Sequence, residues 1–175
     1  NSSTFSQEIV VEDNELPQLF NIPEDLTILC ADVPSAPPIA DGPLANTNLA
    51  LTGTASQISS RQGASAERAN DGNTSGVWDD GSVTRTRRED DPWWEIDLGS
   101  EQPIGDIVLW NRTDCCQARL SNFHIIASKT PFNGDNLNAA LNQPGAVSIY
   151  KSGSVNGSES FSLNTDARYV RIQRD

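Results

Sequence analysis

The amino-acid sequence predicts an all-β fold, an antiparallel β-sandwich or jelly roll, from residue 46 to residue 175. Several short runs alternate apolar and polar residues, as in Tyr169-Val170-Arg171-Ile172, a pattern typical of strands buried on one face. Asn, Gly, Ser and Asp fill the intervals between the runs and favour turns. Short strands at this spacing indicate a sandwich or jelly roll. The predicted strands cover residues 93–98, 104–111, 122–128, 146–150, 159–163 and 169–174.

Helical content is expected to be small. One turn is predicted to begin at Ser65, whose hydroxyl could cap residues 66–70. A second short helix is predicted over residues 137–141.

Residues 1–45 differ in composition from the rest of the chain. They contain two short β-like runs, 8–13 and 26–30, with prolines between and after them. The stretch 23–34 resembles pieces of the immunoglobulin-like repeats of large bacterial surface and secreted proteins. Because such a sandwich needs about 100 residues, this segment is predicted to be an extended, acidic linker or a partial immunoglobulin-like segment. It is expected to join the domain of residues 46–175 to the rest of a larger multidomain chain.

The charge distribution restricts the kinds of partner. The formal net charge is −12, but residues 1–42 hold eight acids and no Lys or Arg, whereas all 12 basic residues follow position 60. An acidic protein of this kind is not expected to bind nucleic acid or an anionic membrane surface. No apolar run approaches the roughly 20 residues of a membrane helix, so membrane insertion is not expected either. Ten of the 12 basic residues are Arg, which suits bidentate hydrogen bonding.

The nine residues 111–119 combine two arginines, a carboxylate and two adjacent cysteines. Cα atoms of neighbouring residues lie about 3.8 Å apart across a trans peptide, whereas ordinary disulfides span about 4.4–6.8 Å. A bond between Cys115 and Cys116 would therefore close a strained ring. The alternative is that Cys30 bonds to one of them and leaves the other free. Either disulfide indicates an oxidising, extracellular setting.

A ring formed by the two cysteines would present a small apolar plate flanked by Arg112 and Arg119. A sugar offers the matching surface, with a C–H face for the plate and hydroxyls that accept guanidinium hydrogen bonds. The motif therefore favours carbohydrate binding.

The pattern Arg-x-Asp-x4-Arg around the cysteine pair resembles the ligand-binding motif of the F-type lectins. This fucose-binding family is similar in fold to the discoidin or coagulation-factor C-type domains, which are galactose-binding-domain-like. The resemblance begins near residue 48 and continues to the end of the chain. It includes residues 48–51, 69–73, 92–98 and 111–119, in the family's order.

The resemblance implies a site, a disulfide and a location. It implies a secreted or cell-surface lectin for fucose-containing glycans, with a further strand after Asp175. Asp114 is expected to orient one arginine through a bidentate pair, and Trp78 is expected to be exposed at the rim of the pocket. The implied sugar-binding residues are Arg85, Arg112, Asp114, Cys115, Cys116, Arg119 and Trp78, with a disulfide between Cys115 and Cys116.

One position departs from the family pattern. The family has a histidine 27 residues before the first arginine of the motif, and this chain has Arg85 there. Three arginines within residues 85–88 favour an anionic sugar, such as a sulfated fucan, over neutral fucose. In the alternative interpretation, Arg87 and Arg88 are a solvated pair beside the acids at 89–91.

A second candidate site lies at residues 69–73. Asp71 and Asn73 carry hard oxygen donors, and the glycine between them permits a tight turn, which is a pattern of calcium chemistry. An Asp-Gly-Asn turn without metal is the alternative. The family resemblance implies a structural Ca2+ site, with further ligands beyond residue 175. The implied metal ligands in this chain are Arg68 (through its carbonyl), Asp71, Asn73 and Ser82.

The sequence does not predict an enzyme. His124 is the one histidine, lies in a predicted strand, and is accompanied by no Gly-x-Ser-x-Gly motif. No pair of carboxylates is marked out for glycoside hydrolysis. Besides a lectin, two interpretations remain open: a protein-adhesion domain for an acidic partner, and a structural spacer of a large cell-surface protein.

Overall fold

The computed structural model of the protein describes residues 47–175, which belong to one compact unit, Pro43–Asp175. The described residues form an antiparallel sheet in the strand order β1-β2-β5-β3-β4, which confirms the predicted all-β jelly-roll fold. The predicted linker or immunoglobulin-like segment, with Cys30, lies outside the described residues. The strands are β1 (Thr54–Gln57), β2 (Trp93–Trp110), β3 (Ser121–Ser128), β4 (Val147–Ser154) and β5 (Ser158–Arg174).

Two pairs of predicted strands are in fact single long strands. The predicted strands 93–98 and 104–111 are joined in β2, and 159–163 and 169–174 are joined in β5. Gly99 and Pro103 lie between the predicted segments 93–98 and 104–111, but β2 and β5 remain paired across two register shifts that accommodate the irregular residues. Strand β1 was not predicted, because Thr-Ala-Ser-Gln contains only one apolar residue.

The main core lies on one face of this sheet. The second register shift, between Ile104 and Asp106, changes which residues of β2 point inward. Ile96 and Ile104 face the core before the shift, whereas Ile107 and Leu109 pack against it afterwards. The buried members of this core are Ile96, Ile104, Phe123, Ile125, Ala127, Val155, Phe161, Leu163, Ala167 and Val170.

A smaller core covers the opposite face of β3 and β5. Ile126 and Tyr169 pack there against Phe132 and Ala140. Helix α1 (Leu137–Leu141) supplies Ala140 and has the predicted bounds. Its N-terminus is capped by Asn136, whose side chain accepts a hydrogen bond from Ala139 N–H at 3.0 Å.

The other predicted helical turn is a 3-10 turn, Ala66–Ala69. Ser65 precedes it at the N-cap position, but its hydroxyl makes no capping hydrogen bond to the backbone.

A buried ion pair supports the second face of the sheet. Arg171 on β5 is 3% exposed and contacts Glu95 on β2, with Nη2–Oε2 at 2.7 Å. Its guanidinium lies 4.5 Å from the ring centroids of both Trp93 and Phe132, and Nη1 donates to the Gly134 carbonyl at 2.9 Å. Trp93 is therefore a structural residue of this face.

We expect Arg171→Ala to destabilise the fold by about 3–5 kcal/mol, because it leaves the Glu95 carboxylate buried without its partner. Urea denaturation followed by tryptophan fluorescence measures this change. Arg168→Ala is the matched control, since Arg168 makes a solvent-accessible pair with Asp97 on the same two strands. Its denaturation midpoint is expected to stay nearly unchanged, and equal losses in the two variants would contradict the account.

Candidate functional site

The candidate site begins where β2 ends. Asn111 follows the last strand residue and is 5% exposed. Its Nδ2 donates to the carbonyls of Gln117 at 2.9 Å and Val155 at 2.8 Å, while Oδ1 accepts from Arg112 N–H at 2.7 Å. One buried amide therefore closes the 111–117 loop and ties it to the turn between β4 and β5.

The two neighbouring cysteines are bonded to each other. The Cα atoms of Cys115 and Cys116 lie 3.8 Å apart, the spacing of a trans peptide. Cys116 has a left-handed backbone conformation (φ 65°) and leads into the single 3-10 turn Gln117–Arg119. The Arg119 N–H donates to the Cys116 carbonyl at 3.0 Å. This disulfide replaces the alternative in which Cys30 bonds to one of the pair.

Arg112 is fixed by the carboxylate of Asp114, in the bidentate pair that the sequence predicts. The Nε–Oδ1 distance is 2.5 Å and the Nη2–Oδ2 distance is 2.9 Å. This pair, followed by backbone hydrogen bonds from Trp78 and Cys115, lowers the pKa of Asp114 to about 2. The carboxylate therefore stays ionised and holds the guanidinium at neutral and moderately acidic pH.

Trp78 lies beneath Arg112. The Arg112 guanidinium carbon is 4.9 Å from the indole centroid. The backbone N–H of Trp78 donates to Asp114 Oδ2 at 3.3 Å. Trp78 is half-buried rather than fully exposed, and its place at the rim of a sugar pocket stays a prediction. A sequence pattern does not show that the arginine covers one face of the ring.

A close backbone contact holds the Trp78 loop against the motif. Thr113 N–H donates to the Gly76 carbonyl at 2.8 Å. A Cβ added at Gly76 would come within 2.8 Å of the Asn111 carbonyl, and the glycine has a φ of 72°. Glycine is therefore required here by both space and backbone conformation.

Arg85 is presented beside a tight turn at residues 61–64. Arg61 N–H donates to the Arg85 carbonyl at 3.0 Å, and Arg85 N–H donates to the Ala64 carbonyl at 3.4 Å. The Arg85 guanidinium donates through Nη1 to Gln62 Oε1 at 2.5 Å. Gln62 and Gly63 both have positive φ, which produces the tight reversal.

The structure brings Arg85 together with the arginines of the motif. Partial burial lowers the pKa of Arg85, and the positive charges of Arg119, Arg61, Arg112 and Arg88 lower it further. Arg61 is the member that sequence reasoning missed, because it lies 24 residues before Arg85 and joins the cluster only through the backbone pairing of the two segments.

Of the two other loop arginines, Arg87 is anchored. Its N–H donates to Ser59 Oγ at 2.9 Å, and its Nε donates to the Ser60 carbonyl at 3.4 Å. Arg88 is exposed and close enough to Arg85 to affect its pKa. Both residues are exposed, as the alternative of a solvated pair expects.

The candidate calcium loop is ordered by its own side chains. Asp71 Oδ1 accepts from Asn73 N–H at 2.8 Å, and Asn73 Nδ2 donates to the Asp80 carbonyl at 3.0 Å. Ser82 Oγ donates to the Val77 carbonyl at 3.1 Å. Arg68 lies in the preceding 3-10 turn. Within residues 47–175, no cluster of three or more His, Cys, Asp or Glu side chains could hold a metal ion.

Within the described part of the chain, the His124 side chain makes no hydrogen bond or ion pair with the candidate sugar-binding or calcium-binding residues. Its Nε2 is 3.3 Å from Asp175 Oδ1, and its ring centroid is 4.8 Å from that of Tyr150. This is the strand role that the sequence predicts for it.

Among the described helices, none has the length and apolar character to cross a membrane.

Comparisons with known proteins relate this chain to galactose-binding domains and fucolectins. Residues 68–172 match the family described as NedA-like, galactose-binding domain. Fucolectin-1 of Anguilla japonica is 31% identical over 134 residues, which cover 74% of this chain and 71% of that protein. Fucolectin-6 of the same species is 35% identical over 102 residues, covering 55% of this chain and only 50% of its own length.

A solved structure gives the same relationship. The fucose-binding module of Streptococcus pneumoniae superposes with a TM-score of 0.63 at 30% identity. The superposition covers 74% of this chain and 84% of that one.

We expect the Asp114 carboxyl to titrate near pH 2, because its pKa is lowered chiefly by the hydrogen bonds from Arg112. The lowered pKa means that the pair contributes fully above about pH 4 and is lost as pH falls towards 2. Carboxyl NMR of the labelled chain measures this titration. In Arg112→Gln the pKa of Asp114 should rise towards its ordinary value, and an unchanged pKa would contradict the assigned cause.

Proposed function

The chain belongs to the fucolectin, or F-type lectin, family of NedA-like, galactose-binding domains, and from this premise we propose that it is a non-catalytic lectin for fucose-containing glycans. One observation carries the proposal. Arg112 is held by Asp114 over Trp78, and the disulfide of adjacent cysteines follows Asp114 directly in the sequence. A rigid, cationic hydrogen-bond donor next to an apolar plate is suited to a sugar, which has hydroxyl groups on one side and C–H groups on the other.

The geometry leaves hydrogen-bonding capacity for a ligand. A guanidinium has five N–H donors, and Asp114 uses two of those on Arg112. The remaining donors can reach vicinal hydroxyls. Arg119 follows the disulfide by one 3-10 turn and makes no ion pair with another described residue. Because Asp114 holds Arg112 in place before binding, less side-chain entropy is lost when the sugar binds.

We propose further that the preferred glycan is anionic, as in a sulfated fucan. Arg85, Arg112 and Arg119 form the sugar-facing triad of this proposal, with Arg61 and Arg88 close enough to affect the pKa of Arg85. The four neighbouring arginines lower the pKa of Arg85, which indicates a positive local potential at its guanidinium. A sulfate group would relieve this repulsion and accept bidentate hydrogen bonds.

The proposed setting is extracellular, on two grounds. The disulfide in the site requires an oxidising compartment, and a structurally similar fucolectin is from the serum of Morone saxatilis. Useful affinity for a repetitive glycan would come from several copies of the site, because a single small, wet pocket binds weakly. The larger multidomain chain predicted from residues 1–45 would provide such a context.

We also propose a structural calcium ion at the Asp71 loop. The residues fit a hard cation, because Asp71 is an exposed carboxylate and the loop supplies amide, hydroxyl and carbonyl oxygens. Asn70 Oδ1, beside Asp71, is buried and has no hydrogen-bond partner among the described residues. The Arg68 carbonyl, Asp71, Asn73 and Ser82 would hold the ion. It would stiffen the segment that carries Trp78 and Arg85.

We expect Arg112→Ala to weaken binding of L-fucose at least about 100-fold, because it removes the two charged hydrogen bonds proposed between the guanidinium and the vicinal hydroxyls of the sugar. Isothermal titration calorimetry measures the loss. Arg168→Ala is the control, since Arg168 makes the same bidentate contact with Asp97 and lies 5.0 Å from the Tyr169 ring centroid. Retention of fucose binding by Arg112→Ala would place the sugar elsewhere.

If the unaltered chain binds neither fucose nor a sulfated fucan, a protein-adhesion or spacer role replaces the lectin.

We expect Arg61→Gln to weaken binding of a sulfated fucan tetrasaccharide by roughly threefold to tenfold, and that of L-fucose hardly at all. The affinity of the unaltered chain for the sulfated ligand should fall as NaCl rises from 50 to 500 mM. Lys129→Gln changes the net charge equally but removes a residue paired with Glu101, so it should have little effect. Equal weakening by both variants would indicate a general charge effect rather than a sulfate contact.

We expect calcium to raise the thermal midpoint by several degrees, because a ligand at 100 times its Kd stabilises the folded state by about 2.7 kcal/mol. Differential scanning calorimetry in CaCl2 and in EGTA tests this. Asp71→Asn should abolish the difference, whereas Asp90→Asn, another exposed loop acid, should preserve it. A midpoint that does not depend on calcium would show that this segment is an Asp-Gly-Asn turn only.

A further inference from the structure

An aromatic side chain is exposed immediately before the sugar motif. Trp110, the last residue of β2, is 49% exposed, and Val108 on the same strand is 40% exposed. In the register with β5, Trp110 is opposite Ser158 and Val108 is opposite Ser160. Serines are too small to cover an indole ring, so the ring remains open to solvent.

The β-bulge explains why these residues point outward. After the register shift at Ile104/Asp106, Ile107 and Leu109 pack against the core. Alternation along the strand then places Val108 and Trp110 on the outer face. Without the shift, Trp110 would share the inward face of Ile96 and Ile104, where its size suits the core.

The strand residue that carries the exposed ring lies two positions before the first arginine of the proposed fucose pocket. Arg112 follows Trp110 by two residues, so the two Cα atoms are at most about 7 Å apart. The intervening Asn111 is buried, and its N–H donates to the Gly157 carbonyl at 2.7 Å. Gly157 precedes Ser158, the cross-strand neighbour of Trp110. Trp110, Ser158 and the first arginine of the motif are therefore joined through the buried Asn111 and its hydrogen bond to Gly157.

The chemistry of this surface fits a saccharide better than a protein. One indole and one valine beside hydroxyl groups form a patch much smaller than the roughly 800 Å² that each partner buries in a stable protein complex. An aromatic face beside hydroxyls instead matches the C–H face and hydroxyl rim of a pyranose ring. Ser162 Oγ already donates to Asp106 Oδ1 at 2.6 Å, whereas Ser158 and Ser160 make no side-chain hydrogen bond with other described residues.

We propose that Trp110, with Val108 and Ser158, forms a second saccharide subsite that receives the sugar unit next to the terminal fucose. This inference rests on the proposed lectin function and deepens it. The arginine site would bind the fucose, and the Trp110 surface would distinguish an extended glycan from a free monosaccharide.

The test compares Trp110→Ala with the unaltered chain by calorimetry, using L-fucose and the neutral Lewis b tetrasaccharide. A neutral glycan separates ring stacking from the charge of the arginine cluster. We expect the variant to lose roughly fivefold to tenfold in affinity for the tetrasaccharide and to bind L-fucose normally. Tyr150→Ala is the matched control, because Tyr150 on β4 is 50% exposed.

A second readout follows the indole N–H signal of Trp110, assigned by its loss in Trp110→Ala. This NMR signal should shift when the tetrasaccharide is added and stay in place with L-fucose. Unchanged tetrasaccharide affinity in Trp110→Ala would overturn the second subsite while leaving the fucose pocket intact. Loss of binding to both ligands in this variant would also overturn it, since Trp110 would then belong to the primary pocket. Failure of the unaltered chain to bind either sugar would overturn the inference together with the proposed function.

Discussion

The site depends on one buried amide. Asn111 donates to two carbonyls from different segments, Gln117 in its own loop and Val155 before the last turn. Both bonds lie where water cannot readily replace them, so their loss would leave unsatisfied carbonyls. The Asn111 side chain also accepts a hydrogen bond from the Arg112 N–H. The position of the first motif arginine is therefore tied to the packing at this end of the sheet.

A second layer of constraint comes from Asp114. Its carboxylate binds the Arg112 guanidinium and the backbone of Trp78, so it joins the motif to a loop more than 30 residues earlier. The close approach of Gly76 to Asn111 permits that contact. The resulting site is cationic within a protein of net charge −12. An anionic glycan would gain attraction only within about 10 Å of the arginines at 0.1 M salt, and the distant acids would contribute little.

Much of the fold could be predicted from local sequence, and the parts that could not depend on long-range pairing. Alternation identified the strand segments around Tyr169, and helix α1 has the predicted bounds. The merging of segments into β2 and β5 depends on bulges that a local pattern does not show. The second of these, between Ile104 and Asp106, also places Trp110 on the outer face. For the site, spacing identified the Arg112–Asp114 pair, whereas Arg61 and the partial burial of Trp78 arise from contacts between distant segments. The roles of the site residues in sugar and calcium binding remain predictions.

The central claim is that the adjacent-cysteine disulfide and its flanking arginines form a fucose pocket. A crystal structure of the chain grown with L-fucose tests it most directly. The account predicts the C–H face of the sugar against Cys115 and Cys116, with its hydroxyls accepting hydrogen bonds from Arg112 and Arg119. A fucose bound elsewhere, or a motif left without sugar at saturating concentration, would contradict it.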